Sequence, residues 1–336
     1  MTAPQIAAAV TLLDGGATVP FIARYRKEAT NNLDDTHLRT LEERLLYLRE
    51  LEERRQTILA SIDEQGKLTD ELRRAVEQAA TKQAVEDIYL PYKPKRRTKA
   101  QIAREAGLEP LANALFADPT LDPDQEAAKY VKVVAAAEGV EAVNVPDAKA
   151  ALEGARDILV ERFAETAELL ATLRTKLWNE GIVTSTVMPG KETAEEEKFR
   201  DYYAYSETIR TIPSHRALAM FRGRTLGVLK LDLGLGESLE AIVPHPCAAM
   251  IAAHFGIENR GRRADKWLTD VCYWAWRVKV HLHLSTELLL QVREAAEAEA
   301  IKIFGRNLHE LLLAAPAGPK AVLGLDPGLR TGCKVA

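Results

Sequence analysis

From position 2 to about 181 the apolar residues of this chain recur at helical spacing almost without a break, which restricts the first half to packed helices. Pro4 sits in a first turn, where its missing N–H costs nothing, and Gly15 marks the exit. Leu38, Leu41, Leu45 and Leu48 form a stripe behind Asp34, Asp35 and Thr36 as capping candidates, and Gly66 closes the segment, so one long helix is predicted. Its outward positions alternate in sign, and Glu50 and Arg54 have the spacing of a favourable intrahelical pair. Helices are predicted over 69–80 and 81–89, after which Pro91 and Pro94 force an extended turn. Thr98 opens the next helix as a capping box with Gln101, and Gly107 stops it. More helix follows Pro123 and Pro146, and 148–180 reads as one long Ala-rich stretch whose one glycine is Gly154.

The texture changes at Gly181. Ile182 to Val187 is β-branched, and 226–233 reads as a second strand ended by Gly234 and Gly236, so a small α+β insertion is predicted. Helical periodicity returns from His245 to Leu313, and Pro316 and Pro319 with Gly318 mark a hinge. The expected fold class is therefore mainly α. Its organisation is a multi-helical region over 1–181, a mixed and then helical region over 182–314, a linker at 315–320 and an apolar strand opening 321–336.

Composition narrows the function classes. The 336 residues carry a formal net charge of −4, so a polyanionic partner has to be met by a local patch. Cys247, Cys272 and Cys333 are too few and scattered for a disulfide scaffold or a zinc site, which points to a reducing compartment. The apolar stretch 6–13 lacks a basic lead and reads as helix, and no run is long enough to span a bilayer; no membrane partner and a cytoplasmic location are expected.

Two nucleotide motifs fail on inspection. Gly190-Lys191 lacks the P-loop's first glycine, which is Ser185, and its hydroxyl, which is Glu192. Gly234-Leu235-Gly236 lacks the third glycine of a dinucleotide loop, since Leu239 stands there. His281 and His283 have no neighbouring ligands, so no metal site or cofactor is expected, and the aromatics at 202, 203, 205, 267, 273, 274 and 276 read as core.

The strongest electrostatic feature is Lys93, Lys95, Arg96, Arg97, Lys99 and Arg104, a run without an acid, stiffened by two prolines and leading into a helix. Such a run suits phosphate contact without base reading. Arg260, Arg262 and Arg263 beside Gly261 form a second cluster, and Arg24, Arg26 and Lys27 a third. The segment 98–108 resembles the first helix and turn of a helix-turn-helix, giving such an element near 98–117. Its second helix offers only Glu109 and Asn113 to base edges, so packing of a helical pair is preferred to major-groove readout.

Asp326 ends an apolar strand and is followed by Pro-Gly, as in the first acidic position of ribonuclease-H-like folds, whose carboxylates bind divalent metal. One carboxylate does not make that site, so the strand is expected to open a truncated domain of this kind and no catalytic residue is assigned.

Residues 21–28 (Phe-Ile-Ala-Arg-Tyr-Arg-Lys-Glu), 41–44, 87–98 (through Leu90-Pro91-Tyr92-Lys93-Pro94) and 324–332 together resemble the bacterial Tex transcription accessory proteins over essentially the whole chain. The resemblance implies a nucleic-acid-binding protein connected with transcription, with RNA or DNA met through its backbone. It also implies a helical N-terminal region, a ribonuclease-H-like (YqgF-type) domain, helix-hairpin-helix elements and an OB-type RNA-binding domain. The chain is then the N-terminal scaffold and binding portion, not an enzyme. The alternatives are a module that docks RNA polymerase without touching nucleic acid, and part of a metal-dependent nuclease using Asp326.

Overall fold

The computed structural model describes all residues except 95, 133–144, 192–196, 237–241, 317 and 329–331. The fold is mainly α. It divides into two compact units, Met1–Leu177 with Gly236–Leu284, and Trp178–Leu235 with Ser285–Ala336. Among the described residues no helix is long and apolar enough to cross a membrane.

The first unit begins with α1 (Ala3–Asp14), α2 (Val19–Tyr25), α3 (Asp35–Glu64), α4 (Asp70–Gln78) and α5 (Lys82–Tyr89). Asp34 caps α3 by accepting from the His37 N–H at 2.8 Å. Leu38 and Leu41 bury against Ala9, Val19 and Ile22 of α1 and α2, whereas Leu51, Ile58 and Ile62 bury against Val76, Val85 and Tyr89 of α4 and α5. One helix thus serves two small cores. Leu48, expected in the buried stripe, is 45% exposed. A straight α-helix drifts away from a seven-residue repeat, so Leu51 takes over the inward position. The expected pair of Glu50 with Arg54 gives way to pairs across the helices, Glu50 with Lys82 and Arg54 with Glu86, because α5 lies alongside.

Next come α6 (Lys99–Glu105), α7 (Glu109–Ala117), α8 (Pro123–Ala128), α9 (Ala148–Ala164) and α10 (Ala167–Glu180). The single stretch expected over 148–180 is two helices. Thr166 sits at the break, its hydroxyl donating to the Arg162 carbonyl at 3.0 Å in place of helical continuation. The unit is completed by α12 (Pro246–His254) and α13 (Asp265–Trp274), followed by a π-helical run, Ala275–Val280, that leads into α14 (His281–Leu312). Helix α9 packs against α6, α7, α8, α13 and the π run, burying Ala151, Ala155, Ile158, Leu159 and Phe163. Phe163 stacks on Phe255 with centroids 4.2 Å apart.

Gly154 lets α6 and its following turn lie this close to α9: an added Cβ would stand 2.4 Å from Leu108 Cδ1 and 3.2 Å from Ala103 Cβ. The Gly154→Leu protein is therefore expected to lose about 1–3 kcal/mol to overpacking, although leucine is the better helix former by roughly 1 kcal/mol. Urea unfolding checks this, as a lower midpoint at unchanged slope.

In the second unit β1 (Ile182–Val187) is the centre of an antiparallel sheet, between β2 (Ala204–Thr208) and β3 (Leu229–Gly234), with Thr184 opposite both Ser206 and Asp232. A 3-10 turn, Glu197–Tyr202, and α11 (Ser214–Thr225) pack on it around Phe199, Val228 and Leu229. The strand expected from Leu226 begins at Leu229. The preceding residues still close α11, with the Leu226 N–H donating to Arg222, the Val228 N–H to Gly223, and Gly227 at φ 70°. A two-stranded hairpin, β4 (Leu325–Pro327) and β5 (Cys333–Val335), sets Asp326 opposite Lys334.

Candidate nucleic-acid interface

The segment between α5 and α6 is an elbow pinned at both ends. At its start the Tyr92 and Lys93 N–H groups both donate to the Tyr89 carbonyl, at 2.8 and 3.0 Å, so the chain leaves α5 through a tight turn. Leu90 stays right-handed, at φ −51° and ψ −41°, where an extended residue before Pro91 was expected. Proline's fixed φ fits that turn, and its missing N–H costs nothing there. Gln65 Nε2 donates to the Tyr92 carbonyl at 2.9 Å, and the Ser61 and Tyr89 hydroxyls meet at 2.9 Å, so α3 holds this end.

At the other end Thr98 caps α6, its hydroxyl accepting from the Gln101 N–H at 3.1 Å. The same hydroxyl donates to Glu161 Oε1 of α9 at 3.0 Å, so Thr98 is bound to the core helix as well as to its own. Glu161 is buried, and its other oxygen accepts from Arg104 Nη1 at 2.7 Å. Lys279 of the π run approaches Glu161 Oε1 at 3.5 Å. A single buried carboxylate therefore ties elbow, α6 and π run to α9. Close by, burial raises the Asp157 carboxyl above its ordinary range, opposed by the charges of Arg156, Lys99 and Lys279.

The elbow rims an open cleft of about 750 Å³, whose wall includes Lys67, Tyr92, Lys93, Arg104, Glu161 and Arg162. Its polar lining suits a hydrated, charged ligand better than an apolar one.

The structure separates the eleven cations singled out in the sequence. Lys93, Arg96 and Lys99 are exposed, and none makes an ion pair among the described residues. Arg97 lies on the same elbow but holds Glu105 Oε2 at 2.6 Å, and Arg104 is turned inward onto Glu161. Lys95 lies outside the described residues. In the second cluster Arg260 holds Glu258 at 2.5 Å, Arg262 holds Asp265 at 2.9 Å, and Arg263 lies 3.6 Å from Asp122. The Arg262 guanidinium and the N–H groups of Arg262 and Arg260 keep the Asp265 carboxyl below its ordinary range, so that cluster is a self-neutralised loop. Arg24 and Arg26 are exposed on α2 and the turn after it, without ion pairs among the described residues.

Glu161 and Lys279 carry no sequence signal for this site. They stand 63 and 181 positions from Thr98, and only the packing of α9 brings them to it. The two polar residues of α7 are engaged within the protein: Asn113 Oδ1 accepts from Arg162 Nη2 at 2.6 Å, and Glu109 lies 3.7 Å from Arg104. Of the aromatics, Trp276 is buried and stacked on His245 at 5.2 Å, whereas Trp274 is part exposed with Arg156 4.3 Å above its ring. Among the described residues no group of three or more His, Cys, Asp or Glu is placed to hold a metal ion. Burial pushes the Cys272 thiol up to about 12, which keeps it protonated.

Two family models match the chain. The Tex central region-like family matches residues 118–304, and the Tex-like protein N-terminal domain matches residues 1–63. "Protein tex" of Bordetella pertussis is 58% identical over 99% of the chain, and "Transcriptional accessory protein Tex" of Neisseria gonorrhoeae 55% identical over all of it. The human "S1 RNA-binding domain-containing protein 1" is 29% identical over 97% of the chain. The chain spans 42% of the length of the first two and 32% of the human protein. With the central-region model alone covering more than half of its residues, the chain belongs to the Tex family.

Proposed function

We propose that this chain is a nucleic-acid-binding part of a transcription accessory protein that works in the cytoplasm, and that it binds through phosphates and carries out no catalysis of its own. The observation that carries the reading is the elbow: Lys93, Arg96 and Lys99 are exposed on a segment held by Gln65 at one end and Glu161 at the other, and none lies within ion-pair distance of a carboxylate among the described residues, although the charge of Lys99 is felt by Asp157. Holding both ends of the segment limits the freedom it can lose on binding. The relatives' names support the setting, one being called a transcriptional accessory protein and another an S1 RNA-binding domain-containing protein. RNA polymerase is proposed as a further partner.

The test is a salt titration of oligonucleotide binding with Lys93, Arg96 and Lys99 all replaced by alanine. Each lost phosphate contact is expected to reduce the slope of log K against log salt by about 0.9 on duplex DNA or about 0.7 on single strands. A loss of about two to three in the slope, on any sequence, is the expected result; an unchanged slope and affinity would remove the elbow from the interface.

A further inference from the structure

Helix α2 exposes aromatic rings where a core helix would be expected to bury them. Val19 and Ile22 point into the core with Ala9 and Leu38, so the opposite face, carrying Phe21, Arg24 and Tyr25, is turned to solvent. Phe21 is 40% exposed and Tyr25 62%. Their centroids are 5.4 Å apart with ring planes inclined at 46°, so the rings do not cover each other's faces. The Arg26 guanidinium sits 5.4 Å from the Phe21 centroid and donates from Nη1 to the Tyr25 carbonyl at 3.0 Å.

The backbone beneath this face is fixed. Thr30 is fully buried and its hydroxyl reaches the carbonyls of Arg26 and Lys27, at 3.3 and 3.4 Å. The Asn32 N–H donates to the Lys27 carbonyl at 2.8 Å, and Gln5 of α1 donates to the Asn31 carbonyl at 2.9 Å. Arg24, Arg26 and Lys27 make no ion pair among the described residues. The carboxylates that follow are occupied elsewhere, Asp34 by His37 and Asp35 by Arg39, which leaves the exposed Glu28 against three cations.

We infer that this face of α2 is a stacking platform for single-stranded nucleic acid, with Phe21 and Tyr25 taking the faces of unpaired bases and Arg24 and Lys27 the adjoining phosphates. Charge complementarity selects a polyanion, and exposed rings select bases, which a duplex keeps stacked inside. Guanidinium planes stack on bases as rings do, so Arg26 over Phe21 lengthens the platform. The inference rests on the proposed nucleic-acid reading and adds a preference for strands with unpaired bases, which the elbow's phosphate contacts do not supply.

The test uses the whole chain, a single-stranded oligonucleotide containing 2-aminopurine, an abasic oligonucleotide of equal phosphate number, and the Phe21→Ala/Tyr25→Ala and Phe21→Leu/Tyr25→Leu doubles. Stacking quenches 2-aminopurine, so the wild-type chain should quench it and bind the abasic strand more weakly. Each ring is expected to be worth roughly tenfold in affinity, and both doubles should lose that affinity and the quenching while keeping the salt slope. The elbow triple variant should do the reverse, with the slope reduced and the quenching kept. Wild-type binding without quenching, equal affinity for the abasic strand, or full affinity in the leucine double would overturn the platform and leave the elbow standing. Absence of any oligonucleotide binding by the wild-type chain would sink both readings.

Discussion

Replacing Asp87 by alanine is expected to cost about 3 kcal/mol of stability, at the lower end of the range for breaking a buried ion pair because Arg174 keeps some contact with solvent. Asp87 of α5 is buried, and its carboxylate takes both terminal nitrogens of Arg174 on α10, at 2.8 and 3.0 Å, with Gln83 Nε2 donating to the same group at 3.0 Å. Two N–H donors on two oxygens fix the orientation of the pair as well as its energy. Alanine takes that carboxylate from Arg174 and from Gln83 at once. Asparagine keeps an acceptor for one of them, so Asp87→Asn should lose clearly less. Urea unfolding of Asp87→Ala, Arg174→Ala and the double closes a cycle in which the double costs less than the sum of the singles. Strict additivity would show that the pair contributes nothing beyond its separate side chains. The position matters for the interface because α5 is the helix from which the elbow departs.

Much of the helical layout is legible along the sequence because the signals are local. The caps at Asp34, Thr69, Thr81, Thr98 and Asp122 each act within one turn, and each is found accepting from the backbone N–H three residues on. Gly107 is left-handed where a helix stop is required. What fails to show is which partner, near or far in sequence, the folded backbone brings to a side chain. Arg97 and Lys99 are alike in sequence, yet Glu105, at the far end of α6, pairs with the first and not with the second. Arg260, Arg262 and Arg263 read as a cationic patch until folding places Glu258, Asp265 and Asp122 beside them. Glu50 and Arg54 have the right spacing for each other and still pair with Lys82 and Glu86 of α5, which lies alongside; only the Arg54 pair is partly buried. Phe21 and Tyr25 are legible as aromatic residues, but their exposure follows from which face of α2 the Val19 and Ile22 pair turns inward.

Glu161 is where stability and binding separate. Its alanine variant is expected to lose about 1–3 kcal/mol, because Thr98 would lose the acceptor that fixes the elbow's far end and the part-exposed Arg104 and Lys279 a charged partner. The glutamine variant is the more informative one. It keeps an acceptor for Thr98, so the elbow stays in place, and it removes one negative charge from the cleft wall. Among the described residues Arg104 then retains Glu109 alone as an ion-pair partner, 3.7 Å from Nε, and its guanidinium gains freedom to turn toward the cleft that it already lines. If the cleft receives a polyanion, Glu161→Gln should therefore bind oligonucleotide more tightly at low salt and steepen the salt slope by about 0.7 to 0.9, one added phosphate contact, while losing stability. A carboxylate serving only the fold would lower stability and leave the slope alone. Opposite movement of melting temperature and salt slope in one variant is a result that general damage to the protein does not produce.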